Sequence, residues 1–501
     1  MNDQNIHNSS IERSIMIQNN SKYSNTFSQN MITSFEDWLS SLWFQSPIHL
    51  LVELLLVSIL IVLLLRPPEP IHDPKDDLTV EEEDQIISDW KPKPLIPEIP
   101  EDTIDPGIIS NHTITSGPSD TIEIDGKKMI NFGTPNFYGL NMNKEIVDAA
   151  LAAIDRYAVG ACGPRQFYGT MDAHLEVEKE MANFLGTEDS VNYCYIFATT
   201  TSVIQAFVHN SDIVFVDDGS WFAVKLGAEL TRSRIVPFKH NDMNDLREKI
   251  IHHKKTFQRW PKCNRWVVGE GLYANDGSIW DLQQIVQLRK EFCLRIIIDE
   301  TLSIGSLGEK GRGLCEHFGV PRSLVEVSIG SYGSSFASLG GFTIGTKDFC
   351  AHQRLASHAY IFSASPPCFN VVAATKALQI VEKDGEERIK KLRENTLLMR
   401  NELNGIESFE VVGSEQSPLI HLRLKEPLES FHTEDELLQK IVEACIDSEN
   451  PVAITKSKFV RMKDMTAPHP SLKIFVSAAH SEEHIKTAVA TIKNAISQNL
   501  N

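Results

Sequence analysis

"VSIGSYGSSFASLGGFTIG", residues 327–345, opens as an apolar strand, turns through glycine and serine, and returns as a second strand that starts on Gly340–Gly341. No lysine lies between Val327 and Thr346. Working backward, "VEVSIG" (325–330), "LRIIIDE" (294–300), "RWVVGEG" (265–271) and "DIVFVDD" (212–218) are short β-branched runs, several ending in an acid or a glycine. Between them lie stretches with apolar residues at helical spacing, as in "EIVDAALAAIDRYA" (145–158). Near-continuous apolar strands alternating with helices predict an α/β fold with a mostly parallel sheet covered on both faces. Ligands of such sheets bind beyond the carboxyl ends of the strands, which puts Asp299, Glu300 and the Ser331–Ser335 turn on one rim. This large domain is expected over 126–385, and a smaller α+β domain over 386–501.

A net charge of −19 argues against phosphate-backbone binding, so nucleic acid is not an expected partner. Eight cysteines without a CxxC pair or a Cys/His cluster give neither a metal site nor a disulfide framework. Residues 1–46, rich in Asn, Ser and Gln, read as a disordered leader. In "PIHLLVELLLVSILIVLLLRPP", Ile48 to Leu65 is apolar except for His49, Glu53 and Ser58, and a transmembrane helix is expected over 47–66. Residues 67–125 follow as an amphipathic helix, "DLTVEEEDQIISDW", and a proline-rich strap, "KPKPLIPEIP". His252–His253, in "HHKKTFQRWPKCNR", sit in a basic surface segment rather than a metal site.

The ordered series "NFYGL", "GPRQFYGTMDAHLEVEKEMANFLGTE", "GEGLYANDGSI", "DETLSIGSLGEKGRG", "GGFTIG", "FSASPP" and "FVSAAHSEEH" resembles the α-oxoamine synthases, which are fold-type-I pyridoxal-phosphate (PLP) enzymes with an aspartate-aminotransferase-like large domain. The resemblance runs from about residue 125 to the C-terminus. "LTVEEEDQIISDWKPKPLIPEIP", "GACGPRQFYGT" and "CEHFGV", behind a membrane anchor, narrow it to the first long-chain-base subunits of serine palmitoyltransferases.

That resemblance implies cofactor positions which this chain has largely changed. The Schiff-base lysine falls at Ser334, whose hydroxyl cannot form an imine. The carboxylate that keeps the pyridine nitrogen protonated persists as Asp299. A histidine expected three residues later is Leu302, a ring-stacking histidine is Trp221, and the phosphate-contacting serine is Ser331. Lys310 and Lys347 lie in or beyond shared loops and are poor substitute anchors. No catalytic residue is therefore expected on this chain, Asp299, Trp221 and Ser331 being vestigial.

Family members pair their subunits across the active sites, so this chain is expected to complete the site of a partner, the catalytic long-chain-base subunit 2, whose lysine holds the PLP. Candidate residues reaching across are Cys162, Arg165 and Tyr168 in "GACGPRQFYGT", and Ser363 and Ser365 in "FSASPP". Helix-ending glycines and an ST-turn before Pro366–Pro367 are the plainer readings of the same segments. The implied reaction condenses L-serine with palmitoyl-CoA, with decarboxylation, to 3-oxosphinganine. The implied setting is the endoplasmic reticulum membrane with the catalytic region facing the cytosol, beside small activating and Orm-type regulatory membrane proteins. Two alternatives stand: an independent homodimer with a displaced lysine, and a membrane scaffold without an active-site role.

Overall fold

The computed structural model describes residues 47–65, 78–92, 94–95, 112–161, 163–458 and 469–500. One unit covers 1–98 and a second covers 99–501. In the first, Pro47–Leu65 is a leucine-rich helix whose Leu54, Leu60 and Leu64 are exposed. Among the described residues no helix is long and apolar enough to cross a membrane. A second helix, Val80–Asp89, is capped by a reciprocal box in which Glu82 N–H donates to Thr79 Oγ1 and Thr79 N–H to Glu82 Oε2. The expected leader and most of the proline-rich strap lie outside the described residues.

In the second unit, the hairpin β1 (Thr121–Ile124) and β2 (Lys127–Asn131) precedes a seven-stranded sheet. Its strands are β3 (Asp189–Tyr193), β4 (Ile213–Asp217), β5 (Arg234–Phe238), β6 (Arg265–Glu270), β7 (Arg295–Asp299), β8 (Val327–Ser331) and β9 (Gly341–Gly345). They lie in the order β3-β9-β8-β7-β6-β4-β5. All are parallel except β9, which runs against both neighbours. The reversal follows from chain length, since Tyr332–Gly340 is shorter than the crossover of a dozen or more residues that a parallel neighbour requires. Gly330 pairs with Phe342, and a Cβ there would meet the Phe342 ring at 2.2 Å, so glycine is what lets β9 close on β8.

Period-2 alternation sorts the strand side chains into two cores. Ile213, Phe215, Val267, Ile296 and Ile298 join one face, and Val214, Val216, Val268, Ile297 and Ile329 the other. Both faces are covered, as the unbroken apolar runs require.

The smaller domain holds β10 (Phe409–Val412), β11 (Leu419–Leu424), β12 (Val452–Ala453), β13 (Thr455–Lys456) and β14 (Leu472–Phe475). It is drawn from both ends of the unit. β12 pairs with β2, and Ile122, Met129, Phe132 and Phe137 belong to the same core as Leu438, Ile474 and Ile492. Helix Cys368–Leu403 runs unbroken through 385–386. The smaller domain's core therefore takes in β1 and β2 as well, because β2 pairs with β12, a contact some 320 residues away in the sequence.

Candidate functional site

The carboxyl ends of β6, β7 and β8 form the expected rim, and side chains of the chain itself fill it. Asp299, the last residue of β7, is 2% exposed. Its Oδ2 accepts from Thr200 Oγ1 and from the Trp221 indole Nε1, both at 2.9 Å. Its Oδ1 accepts from the Thr301 amide at 2.9 Å and from the Thr301 hydroxyl. Burial pushes the Asp299 carboxyl up, while these hydrogen bonds, those of Thr301 foremost, pull it back. Trp221, at the start of helix Phe222–Leu230, is anchored by its own amide, which donates to Glu270 Oε1 at 2.6 Å. Glu270 also accepts from the Ala274 amide at 3.0 Å. Burial first, and the neighbouring Asp299 charge second, hold the Glu270 carboxyl well above the usual range.

Ser334 is buried and donates to the Thr301 carbonyl at 2.9 Å. Ser331 Oγ accepts from the Gly333 amide at 3.0 Å and so caps the turn. Leu302 packs between the core of the smaller domain and one core of the large sheet. These residues do not fit a cofactor held by this chain. No amine stands at the turn, and the donors on Asp299 Oδ2 are a tryptophan ring and a threonine where a pyridine nitrogen would have to be.

The alternative lysines lie elsewhere. Lys310 pairs with Glu386 at 3.1 Å and is half exposed, and Lys347 opens an exposed helix after β9, whose reversed direction puts it at the opposite edge of the sheet. Lys473, on β14, is a further amine: burial lowers its pKa to about 8, partly offset by Glu270. It went unremarked in the sequence because nothing in "LKIFVSAAH" signals that Glu270 faces it.

A second cluster forms where "GACGPRQFYGT" meets "FSASPP". Pro164 bridges Ala364 in antiparallel fashion, and Ser365 donates to the Gly163 carbonyl through both its amide (3.0 Å) and its hydroxyl (2.9 Å). A Cβ on Gly169 would meet the Gly163 carbonyl oxygen at 2.0 Å, so only glycine closes this loop. His174 fastens the two segments: its Nδ1 accepts from the Met171 amide at 3.0 Å and its Nε2 donates to the Pro366 carbonyl at 2.8 Å. Those partners fix the tautomer.

Arg165 turns inward. Its Nη1 pairs with Glu178 Oε1 at 2.8 Å, both side chains being nearly inaccessible, and its Nε donates to Thr170 Oγ1 at 3.0 Å. Tyr168 does the opposite: it is fully exposed and holds φ at +64°. A left-handed tyrosine costs roughly 1–3 kcal/mol, and among the described residues no side-chain hydrogen bond or ring contact of Tyr168 repays it. Ser363 is half-buried at the end of helix His358–Phe362. The side chain of Cys162 lies outside the described residues.

Beside the rim, His240 is clamped between two carboxylates, Nδ1 to Asp217 Oδ1 at 2.7 Å and Nε2 to Asp276 Oδ2 at 3.0 Å. Burial alone would lower the imidazolium, but the hydrogen bonds to Asp217 and Asp276 outweigh it and raise the pKa to about 10. A group whose pKa rises on folding contributes fully below its unfolded value and loses that contribution as pH climbs through the folded one. Stability is therefore expected to decline from about pH 6.5 to about pH 10. Denaturant titrations across that window should show the slope in the native chain and a flatter profile in His240→Gln. Equal slopes would mean that the clamp does not hold the proton.

The arrangement is that of a fold-type-I PLP protein whose own cofactor floor is closed. Residues 127–492 match the aminotransferase class I and II family. "Long chain base biosynthesis protein 1c" of Oryza sativa subsp. japonica is 38% identical over 448 residues, covering 89% of this chain and 90% of that protein. "Serine palmitoyltransferase 1" of Dictyostelium discoideum is 38% identical over 456 residues, covering 89% and 92%. Among solved structures, Sphingomonas wittichii serine palmitoyltransferase superposes with a TM-score of 0.69 at 23% identity, covering 78% of this chain and 92% of its own. The chain belongs to the aminotransferase class I and II family, in the branch of these long chain base biosynthesis protein 1 and serine palmitoyltransferase 1 relatives.

Proposed function

We infer that this chain is the lysine-free subunit of a serine palmitoyltransferase, the enzyme that joins L-serine to palmitoyl-CoA with loss of carbon dioxide to give 3-oxosphinganine, the first step of sphingolipid synthesis. The observation that carries this reading is the occupied floor: Ser334 bonds Thr301, and Trp221 and Thr200 take Asp299 Oδ2. The PLP then belongs to the catalytic long-chain-base subunit 2, on that subunit's lysine. In the heterodimer this chain supplies the face built from residues 160–170 and 362–367. Tyr168 and Ser363 reach toward the partner's site, to which Cys162 is assigned by its place in the sequence, while Arg165 and Ser365 hold the loop in shape from within. Exposed Phe167 and Phe362 give that face the apolar surface a permanent partner would cover.

The leucine-rich segment 47–66 serves in this reading as the anchor to the endoplasmic reticulum membrane, with residues 99–501 on the cytosolic side near their lipophilic substrate and product. Small activating and Orm-type membrane proteins would meet the anchor. The topology has its own check, since Asn8 and Asn19 lie in sequons on one side of the segment and Asn111 on the other.

The test compares the chain purified alone with the chain co-purified with its partner. Visible imine absorbance and 3-oxosphinganine synthesis are expected only in the pair, and either signal from the lone chain would reject the assignment in favour of a displaced lysine. Tyr168→Ala is expected to lower turnover by the pair about tenfold or more, the worth of one lost hydrogen bond in a buried site, while the pair still co-purifies. Unchanged turnover would favour a scaffold without an active-site role.

A further inference from the structure

At the amino-terminal edge of the large sheet, one strand length away from the rim (roughly 15–20 Å), lies a cleft of about 590 Å³. Arg265, Arg289, Lys290, Cys293, Arg295 and Glu326 line it. Four of its nine lining residues are cations and one, Glu326, is a carboxylate, on a chain whose net charge is −19. Two of them, Arg289 and Lys290, sit in the last turn of helix Leu282–Phe292, where they complement the helix dipole. Arg265 and Arg295 have no such reason to be there, because they open the neighbouring parallel strands β6 and β7.

The partners of these cations are few. Glu326 takes Arg289 at 2.8 Å with one oxygen and the Ile296 amide at 2.7 Å with the other. Arg247–Glu291, at 2.6 Å, engages the next acid along the edge. Among the described residues no carboxylate pairs with Arg265, Lys290 or Arg295. Arg265 instead rests over the Trp260 ring, 5.3 Å from its centroid, and Arg295 over Trp266 at 5.4 Å. Stacking on a ring fixes a guanidinium plane while leaving edge donors available, although Arg265 already gives Nη1 to the Trp260 carbonyl at 3.3 Å. The Nε groups of Arg265 and Arg289 are buried and have no hydrogen-bond partner. Arg312, Arg388 and Arg423 carry the same unpaired Nε away from the cleft, so what distinguishes this place is that two such donors lie on one cleft wall.

We propose that this cleft binds a ligand carrying two or more closely spaced phosphates. The guanidinium forks of Arg265 and Arg295, which no carboxylate takes among the described residues, match phosphate oxygens bidentately, and the volume lies within the range of small-molecule sites. The same chemistry is offered by a phosphorylated lipid headgroup and by a soluble polyphosphate. Its position, at the edge opposite the rim, makes the site one for a regulator or a surface contact rather than for a reacting group.

The full-length chain is titrated calorimetrically with tripolyphosphate, with inorganic phosphate, and with dioctanoyl phosphatidylinositol bisphosphate beside its free headgroup. Saturable binding of tripolyphosphate, about tenfold or more tighter than inorganic phosphate, is the expected result. Arg265→Gln, Lys290→Gln and Arg295→Gln together should weaken it by a further factor of ten or more. Removing the same charge at three exposed lysines, Lys128→Gln, Lys179→Gln and Lys440→Gln, should leave it unchanged. Cys293, exposed at the end of the helix and on the cleft wall, gives a readout that needs no variant: its alkylation, mapped by mass spectrometry, should slow when tripolyphosphate is added. Tighter binding of the dioctanoyl lipid than of its headgroup assigns the site to a membrane lipid, and equal binding assigns it to a soluble ligand. No saturable heat with any probe, unprotected Cys293, or equal losses in the two triple variants would overturn the proposal.

Discussion

Placing a lysine at residue 334 is expected not to restore PLP binding to this chain. An amine supplies the covalent bond, but a bound cofactor also needs a carboxylate free to hold the pyridine nitrogen in its protonated form. Asp299 has neither oxygen free, since Oδ2 carries the Trp221 indole and Thr200 and Oδ1 carries both donors of Thr301. The Trp221 ring is held where it is by its own donation to Asp299 at 2.9 Å and by Phe197, which it meets edge-on at 6.3 Å. Ser334→Lys alone should thus show no visible absorbance above the native chain after incubation with PLP. Ser334→Lys with Trp221→His, which removes the indole from Asp299, is expected to gain it. The two variants together separate loss of the amine from closure of the floor. Full absorbance in the single variant would show that Asp299 exchanges its donors freely, and the vestigial reading of this rim would fall. Borohydride reduction followed by peptide mapping closes the remaining escape, because a pyridoxyl group on Lys473 of the native chain would locate the displaced lysine.

Much of this arrangement is legible in the sequence. β-branched runs ending in an acid or a glycine marked β4, β6, β7 and β8, since strands buried on both faces admit little else. The rim followed from the direction of parallel strands alone. What escaped were contacts between residues distant in sequence. Trp221 is legible as a ring in the place of another ring, yet its role as the donor to Asp299 depends on β4 and β7 flanking β6, which no spacing in the sequence reveals. The same applies to Thr200, in the middle of an unremarkable "ATTTS", and to His174, whose acceptor on Pro366 lies 192 residues on. The alternation of strands and helices begins near residue 126, whereas the β2–β12 pairing that ties this stretch to the smaller domain has no local signature.

Arg165 gives the sharpest instance, and the second large effect. In a glycine-rich loop beside Tyr168 it reads as a charge offered outward. Its side chain is nevertheless only 3% exposed, and Glu178, thirteen residues later on helix Asp172–Leu185, is 4% exposed. Glu178 is the centre of a small network. Its Oε1 also accepts from the Asn192 amide on β3 at 2.9 Å, and Arg354 approaches Oε2 at 3.5 Å. The Arg165 guanidinium lies 5.2 Å from the Tyr360 ring, just ahead of the "FSASPP" turn, so one side chain links the loop, the helix, β3 and the second segment. Removing one member of a buried pair leaves the other charge without its partner in a medium that solvates it poorly, and Arg165→Ala is expected to destabilise the chain by about 3–5 kcal/mol. Arg165→Met with Glu178→Leu removes both charges and should recover most of that loss, though not all, because the Asn192 amide then loses its Glu178 acceptor and Arg354, left with Asp189 and the Ser190 carbonyl, loses its second carboxylate. Urea titrations of the native chain and of both variants measure the difference. A loss under 1 kcal/mol in Arg165→Ala would mean that the loop opens to water at little cost. Arg165 would then be available to a partner after all, and the division proposed here, with Arg165 shaping the loop from within and Tyr168 reaching out of it, would have to be reversed.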